Sequence, residues 1–190
     1  MERAPRVLLV IALQLNLGVM LPHHSAGSSV IASDAEFNRF SISVNDLEKA
    51  RDYAEEAHRQ PSDSVAHEAL AFCAIVAYYR PFSPNEKKGA ATATASLDIG
   101  ALLPLSATEL TLHEQCKLLR NKALAHSEQE FNPTKINANR DIVQSKPFSL
   151  LVHPIDLVAL LALISKVHGA CELARAEYML APRRRRAPAT

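Results

Sequence analysis

Residues 108–128 read TELTLHEQCKLLRNKALAHSE, and the periodicity of this stretch decides what kind of chain this is. Just upstream, Ser106 and Glu109 stand in the S-x-x-E relation of a capping box, in which a hydroxyl accepts from an orphaned amide while the carboxylate reaches back. A helix is expected to start there. Leu112, Cys116, Leu119, Ala123 and His126 follow at steps of four, three, four and three, which puts them on one stripe, the expected buried face. At about 100° per residue, Arg120 and His126 fall roughly 120° apart, one on each flank of that stripe. Within one straight helix they cannot meet. They converge on one phosphate only if the helix ends near His126 or if a second copy supplies the partner.

Composition extends the helical reading to the whole chain. The 190 residues are 48% apolar but only 5% aromatic, without Trp and with 5 Gly, a balance that favours helix over strand and allows one good core. The fold class expected is all-α, an antiparallel bundle of four to five helices with long irregular connectors. The formal charge is +1, yet the run Arg183–Arg186 holds four of the 21 basic residues, leaving 17 against 20 acidic ones. A broad electrostatic footprint for long nucleic acid is therefore not expected, which leaves room for a small local site. Cys73, Cys116 and Cys171 are odd in number and far apart, with neither a disulfide framework nor zinc-ligand spacing, and read as small core residues in a reducing compartment. No metal and no cofactor is expected: glycine-rich phosphate loops, H-E-x-x-H and G-x-S-x-G are all missing, and His23-His24 stands without a partner ligand.

Residues 1–29 carry Arg3 and Arg6, then an apolar run from Val7 to Leu21, then small residues, in the outline of a secretory signal. An additional terminal helix, or sequence preceding a start at Met20, explains them as well. The cysteines favour a cytoplasmic protein, with export as the alternative. Residues 30–181 form the expected helical domain. Within it, Ser43–Arg59 reads as a charged amphipathic helix capped by Asn45, and a more apolar helix runs from a cap at Ser62 or Asp63 through Tyr79, ended by Pro81. His67 and Glu68 read as a surface pair on it. Residues 81–106 form a long connector. A second irregular crossing, 127–149, contains a short extended piece at 141–144. Ile155–Leu180 is apolar nearly all round and is expected to be buried on several sides, since Asp156 and Lys166 interrupt it too early for a membrane span. Residues 182–190 read as a basic disordered tail.

The residues Arg120, Asn121 and His126, spaced R-N-x4-H, resemble the R-x4-6-H motif of the HEPN superfamily of small helical bundles, in which a polar residue commonly follows the Arg. The words LHEQCKLLRNKALAHSE and, upstream, YYRPFSPN at Tyr78–Asn85 are similar to those of uncharacterised bacterial HEPN-like proteins, over roughly Val44 to Leu180. The spacing also occurs at Arg51, Asp52 and His58, but that copy lies in a charged helix rich in i,i+4 partners, whereas the later one follows a cap and has small apolar flanks. The resemblance implies metal-independent endoribonuclease chemistry of toxin or defence type in a homodimer, with RNA or a nucleotide as ligand and a cognate antitoxin as partner. His126 would be the acid/base, Arg120 the phosphate clamp and Asn121 their support. The residue types suit that chemistry: an imidazole exchanges protons near neutral pH, and a guanidinium is a permanent forked cation for phosphorane oxygens. Arg80, His113, Lys117 and Lys122 are the further cations expected to contact substrate. Arg80 otherwise compensates the carbonyls ending its helix, and His113 otherwise sits on a wet face. The alternative function is a non-catalytic RNA-, nucleotide- or protein-binding module in which Arg120 and His126 only hold structure.

Overall fold

The computed structural model describes residues 31–83, 96–124, 134–136, 143–145 and 148–181. The fold is all-α. Five helices, α1 (Asp34–Arg59), α2 (Val65–Tyr79), α3 (Ile99–Leu102), α4 (Ala107–Leu118) and α5 (Leu157–Leu180), are joined by a 3-10 turn at Arg80–Phe82 and a π-helical turn at Leu119–Leu124. A two-stranded antiparallel ribbon, Thr134–Ile136 against Val143–Ser145, pairs Lys135 with Gln144. Its second strand overlaps the expected extended piece. The first strand carried no signal that separated it from the loop. Residues 1–30 and 182–190 lie outside the described residues, as do residues 84–95 of the connector 81–106.

The first helix is longer than its sequence suggests, beginning at Asp34 rather than near Asn45. Ser33 is the cap, its hydroxyl accepting from the Glu36 amide at 3.2 Å, while the Glu36 carboxylate takes the Ala32 amide at 2.6 Å. The early turns are held by burial of Phe40 and by stacking of Phe37 on Tyr178, 5.3 Å between centroids. Tertiary contact thus overrides the weak helix preference of the segment SISVN. The helix α2 is capped by Ser64, one or two residues beyond the expected position, through the His67 amide at 3.1 Å. At α4 the capping box forms as read: the Ser106 amide donates to Glu109 at 2.7 Å and the Glu109 amide to Ser106 Oγ at 3.3 Å. Glu109 also accepts from Lys166 Nζ at 2.9 Å. That bond, then the Ser106 amide and hydroxyl, holds its carboxyl down to about 2 and ties α4 to α5.

Helix α1 is the spine, running antiparallel to α2 on one side and α5 on the other. Leu47, Ala50, Ala54 and Ala57 of α1, Ala74, Ile75 and Tyr78 of α2, and Leu160, Ile164, Val167 and Cys171 of α5 meet in one core. The alanines of α1 let the neighbouring helices come close. Helix α5 is buried along this one stripe, a correction to the expectation of burial on several sides, because among the described residues α1 is its one extensive partner. Val158 is 63% exposed, and Leu173, Met179 and Leu180 also face outward. By length and mean hydropathy, 1.7 over its best window, α5 is the one helix among the described residues apolar enough to cross a membrane. Cys73 is exposed, correcting its reading as a core residue, whereas Cys116 and Cys171 are fully buried with thiols pushed up to about 12 by burial.

The chain must leave α2 through Pro81, which stops it, and the stranded carbonyls there are met by a residue 41 positions upstream. Arg39, only 6% exposed, donates Nη2 to the carbonyls of Arg80 at 3.2 Å, Pro81 at 2.5 Å and Ser83 at 3.3 Å. Arg80, expected to compensate those carbonyls, instead turns to Asp46 on α1 at 3.5 Å. His67 and Glu68 are not a surface pair. The ring of His67 bonds to the Ala57 carbonyl at 2.9 Å, and Glu68 accepts from Ser149 Oγ at 2.6 Å and the Leu150 amide at 2.8 Å, pinning the loop before α5.

Arg39→Met keeps the bulk and removes the cap, so urea unfolding is expected to show a loss of about 1.5–3 kcal/mol, the worth of hydrogen bonds to a charged group. A loss below about 0.5 kcal/mol would mean that water replaces the guanidinium without cost.

Candidate functional site

The sequence motif falls on a local departure from α-helix. After Leu118 the ladder changes to the i→i+5 pattern over Leu119–Leu124, a geometry seen mostly as single turns and often at functional sites. Leu119 is buried and anchors the turn, while Arg120 and Asn121 are half-buried at its edge. Arg120 Nη1 donates to Asn121 Oδ1 at 2.8 Å, and no carboxylate among the described residues pairs with that guanidinium. His126 lies outside the described residues, as do the side chains of Lys122 and Ala123. Arg120 and Asn121 are therefore together, as expected, and the motif's third member carries no structural statement.

The other expected cations are placed differently. His113 does not extend a basic strip: it is 4% exposed, packed edge-on against Phe82 at 4.8 Å between ring centres, and beside Tyr78 and Tyr79 at 5.8 and 5.4 Å. Its Nδ1 lies 2.9 Å from the Tyr78 hydroxyl. Burial pushes the phenol of Tyr78 above its ordinary range and pulls the imidazole of His113 below its own. We therefore assign the phenol as donor and the imidazole as neutral, with its proton on Nε2. The reason for the correction is steric: Leu112, His113 and Cys116 are the face of α4 that meets α2, so position 113 shares the stripe. Lys117 does reach solvent, but it is paired with Glu114 at 2.9 Å. Arg80 is engaged by Asp46 of α1 at 3.5 Å.

One residue near the motif, read from sequence as the end of an apolar helix, was given no part in the site. Tyr79 is largely buried, yet Lys117 and Arg120 lie close enough to lower its phenol pKa against the dominant effect of burial, which raises it, as does Glu114. A neutral phenol, an ammonium and a guanidinium thus border one patch. The second R-D-x5-H match makes no such patch: Arg51 is half-buried, His58 is exposed, and the Glu55 and Glu56 carboxylates go to Arg59 at 3.5 and 2.9 Å. No group of three or more metal-ligating side chains occurs among the described residues.

Comparison with family models, curated proteins and solved structures found no match to this chain.

Two embedded imidazoles, His113 in the core and His168 at its edge, make the fold sensitive to mild acid. His113 is held neutral by burial, and so is His168, which faces Glu48 at 3.8 Å and feels Glu172, Arg51 and Arg175 as well. Both folded-state pKa values lie below the ordinary value of about 6.5, so in the window just beneath it the unfolded chain binds more protons. Stability is expected to fall as pH drops through about 6.5 and to level off once both folded groups have titrated. Urea midpoints measured from neutral to mildly acid pH check this, and His168→Gln should flatten part of the slope. A midpoint independent of pH over that window would contradict the assignment.

Proposed function

We propose that this chain is a HEPN-like protein acting on RNA, a metal-independent endoribonuclease whose phosphate clamp is the Arg120–Asn121 turn and whose acid/base is His126. The observation that carries the reading is the guanidinium of Arg120, half-buried in a π-helical turn, steadied by a neutral amide and not neutralised by any described carboxylate. Such a cation is already oriented and still able to receive phosphate oxygens, the condition for electrostatic stabilisation without reorganisation. In the cleavage, a ribose 2′-oxygen attacks the adjacent phosphorus as its proton passes to an imidazole. The bond to the 5′-oxygen breaks as that oxygen takes a proton, leaving a cyclic phosphate and a free hydroxyl. Two copies of the chain, each contributing His126, supply one base and one acid.

A second reading, a module that binds a nucleotide or a short RNA without cutting it, is favoured by the charges around the turn. Lys117 is paired with Glu114, Arg80 with Asp46, and His113 is buried and neutral, so the field at Arg120 is local. That suits a small ligand better than a long polyanion.

The purified protein is expected to cleave single-stranded RNA in the presence of a chelator. His126→Ala is expected to lower the rate about 10²–10⁴-fold, the range for a lost general acid or base. Arg120→Ala is expected to cost about 10²–10³-fold. Neither should lower the melting temperature. Binding that Arg120→Ala abolishes, with no cleavage of any RNA, would select the second reading. A destabilised His126→Ala, by about 0.3–1 kcal/mol or more, would mark that imidazole as a helix-end cation instead.

A further inference from the structure

Between them, α1 and α2 leave a half-open pocket of about 590 Å³. Lys49 and Tyr53 of α1, Phe72, Cys73, Val76 and Ala77 of α2, Arg80 just past its end, and Phe148 from the loop before α5 line it. None of these belongs to the π-helical turn. The antiparallel pairing of the two helices sorts the lining by chemistry. At one end stand Lys49 and Arg80, the latter more than half exposed and held by Asp46 at 3.5 Å. At the other end are rings: Phe72 stacks on Phe148 at 6.4 Å and 25°, Phe148 stacks in turn on His153 at 5.8 Å and 12°, and Tyr53 is the ring that α1 contributes. No carboxylate among the described residues forms an ion pair with Lys49, and Asp46 takes Arg80 alone.

A pocket of this size holds a small organic ligand rather than an ion. Its two ends ask for a flat ring joined to an anion a short distance away. Aromatic side chains stack on any nucleobase, and Lys with Arg suits phosphate. We infer that the α1–α2 pocket is a binding site for a nucleoside monophosphate unit, its base among Phe72, Phe148 and Tyr53 and its phosphate between Lys49 and Arg80. The unit arrives either as a free mononucleotide or as one residue of a single-stranded RNA. The site stands independently of any cleavage at Arg120, because the two share no side chain.

Cys73 makes the occupancy measurable. Of the three thiols it is the exposed one, it lines the pocket, and Cys116 and Cys171 are sealed in the core. The rate of maleimide addition to Cys73 in the full chain, followed by intact mass, is expected to fall severalfold when AMP or UMP is present at millimolar concentration. Adenosine or inorganic phosphate alone should protect at least about tenfold less well by concentration, since each lacks one of the two contacts. Lys49→Glu and Phe148→Ala should each abolish protection while leaving the melting temperature close to that of the parent. Arg120→Ala should leave protection intact, which keeps this site separate from the proposed nuclease centre. Protection by a short single-stranded RNA with none by mononucleotides would identify the chain-borne source of the same unit. Labelling unaffected by either, phosphate as effective as AMP, or protection that survives in both pocket variants would overturn the assignment.

Discussion

The hydrogen bond between the Tyr78 phenol and the His113 imidazole, closed in by Tyr79 and Phe82, decides where the second half of the chain lies. Both groups are polar and both are buried, so each would be costly unpaired, and together they fix α4 against the end of α2 in one register. Leu112, Cys116 and Leu119 then follow into the core along the same stripe, and the turn that carries Arg120 and Asn121 is set at its margin. Clamped in its first turn by the Glu109 bond to Lys166, α4 is held by polar contacts at its start and its middle and by apolar ones along its length.

A second polar device fixes the other side of this junction. The guanidinium of Arg39 gathers three carbonyls where α2 ends in Pro81, so the aromatic pair Tyr79 and Phe82 leaves the helix in a fixed direction. Arg39 and His113 thus act on the two walls of one joint. Arg80, relieved of the carbonyls by Arg39, is left to face Asp46 and the α1–α2 pocket, while Tyr79, next to it in sequence, faces Lys117 and Arg120. Adjacent residues at the end of one helix in this way serve two different surfaces.

Much of this was legible in the residues. The all-α class followed from composition and from period-3.6 patterning. The capping box at Ser106 and Glu109 announced α4 because both of its members act within one turn, and the stop at Pro81 is equally local. What escaped reading depends on partners far away in sequence. The start of α1 rests on Phe37 meeting Tyr178, and the cap of α2 on Arg39 crossing to carbonyls more than forty residues later. The burial of His113 rests on rings from α2 and the turn that follows it, and the exposure of Val158 and Leu173 on α5 having one large neighbour among the described residues. Within the expected site, the pairing of Arg120 with Asn121 was visible as adjacency. The π-helical turn that displays them was not, since LRNKAL has no breaker to mark it.

The joint between α2 and α4 is tested most directly by the protonation of one ring. Long-range nitrogen-proton correlation spectra of the uniformly labelled protein report which nitrogen of His113 bears hydrogen and at what pH the ring charges. A neutral ring with the proton on Nε2, an acceptor Nδ1 and a titration point clearly below that of a free imidazole is the expected result, with the Nδ1 signal lost as an acceptor in Tyr78→Phe. A His113 ring that titrates like a free imidazole, or one doubly protonated at neutral pH, would contradict the account.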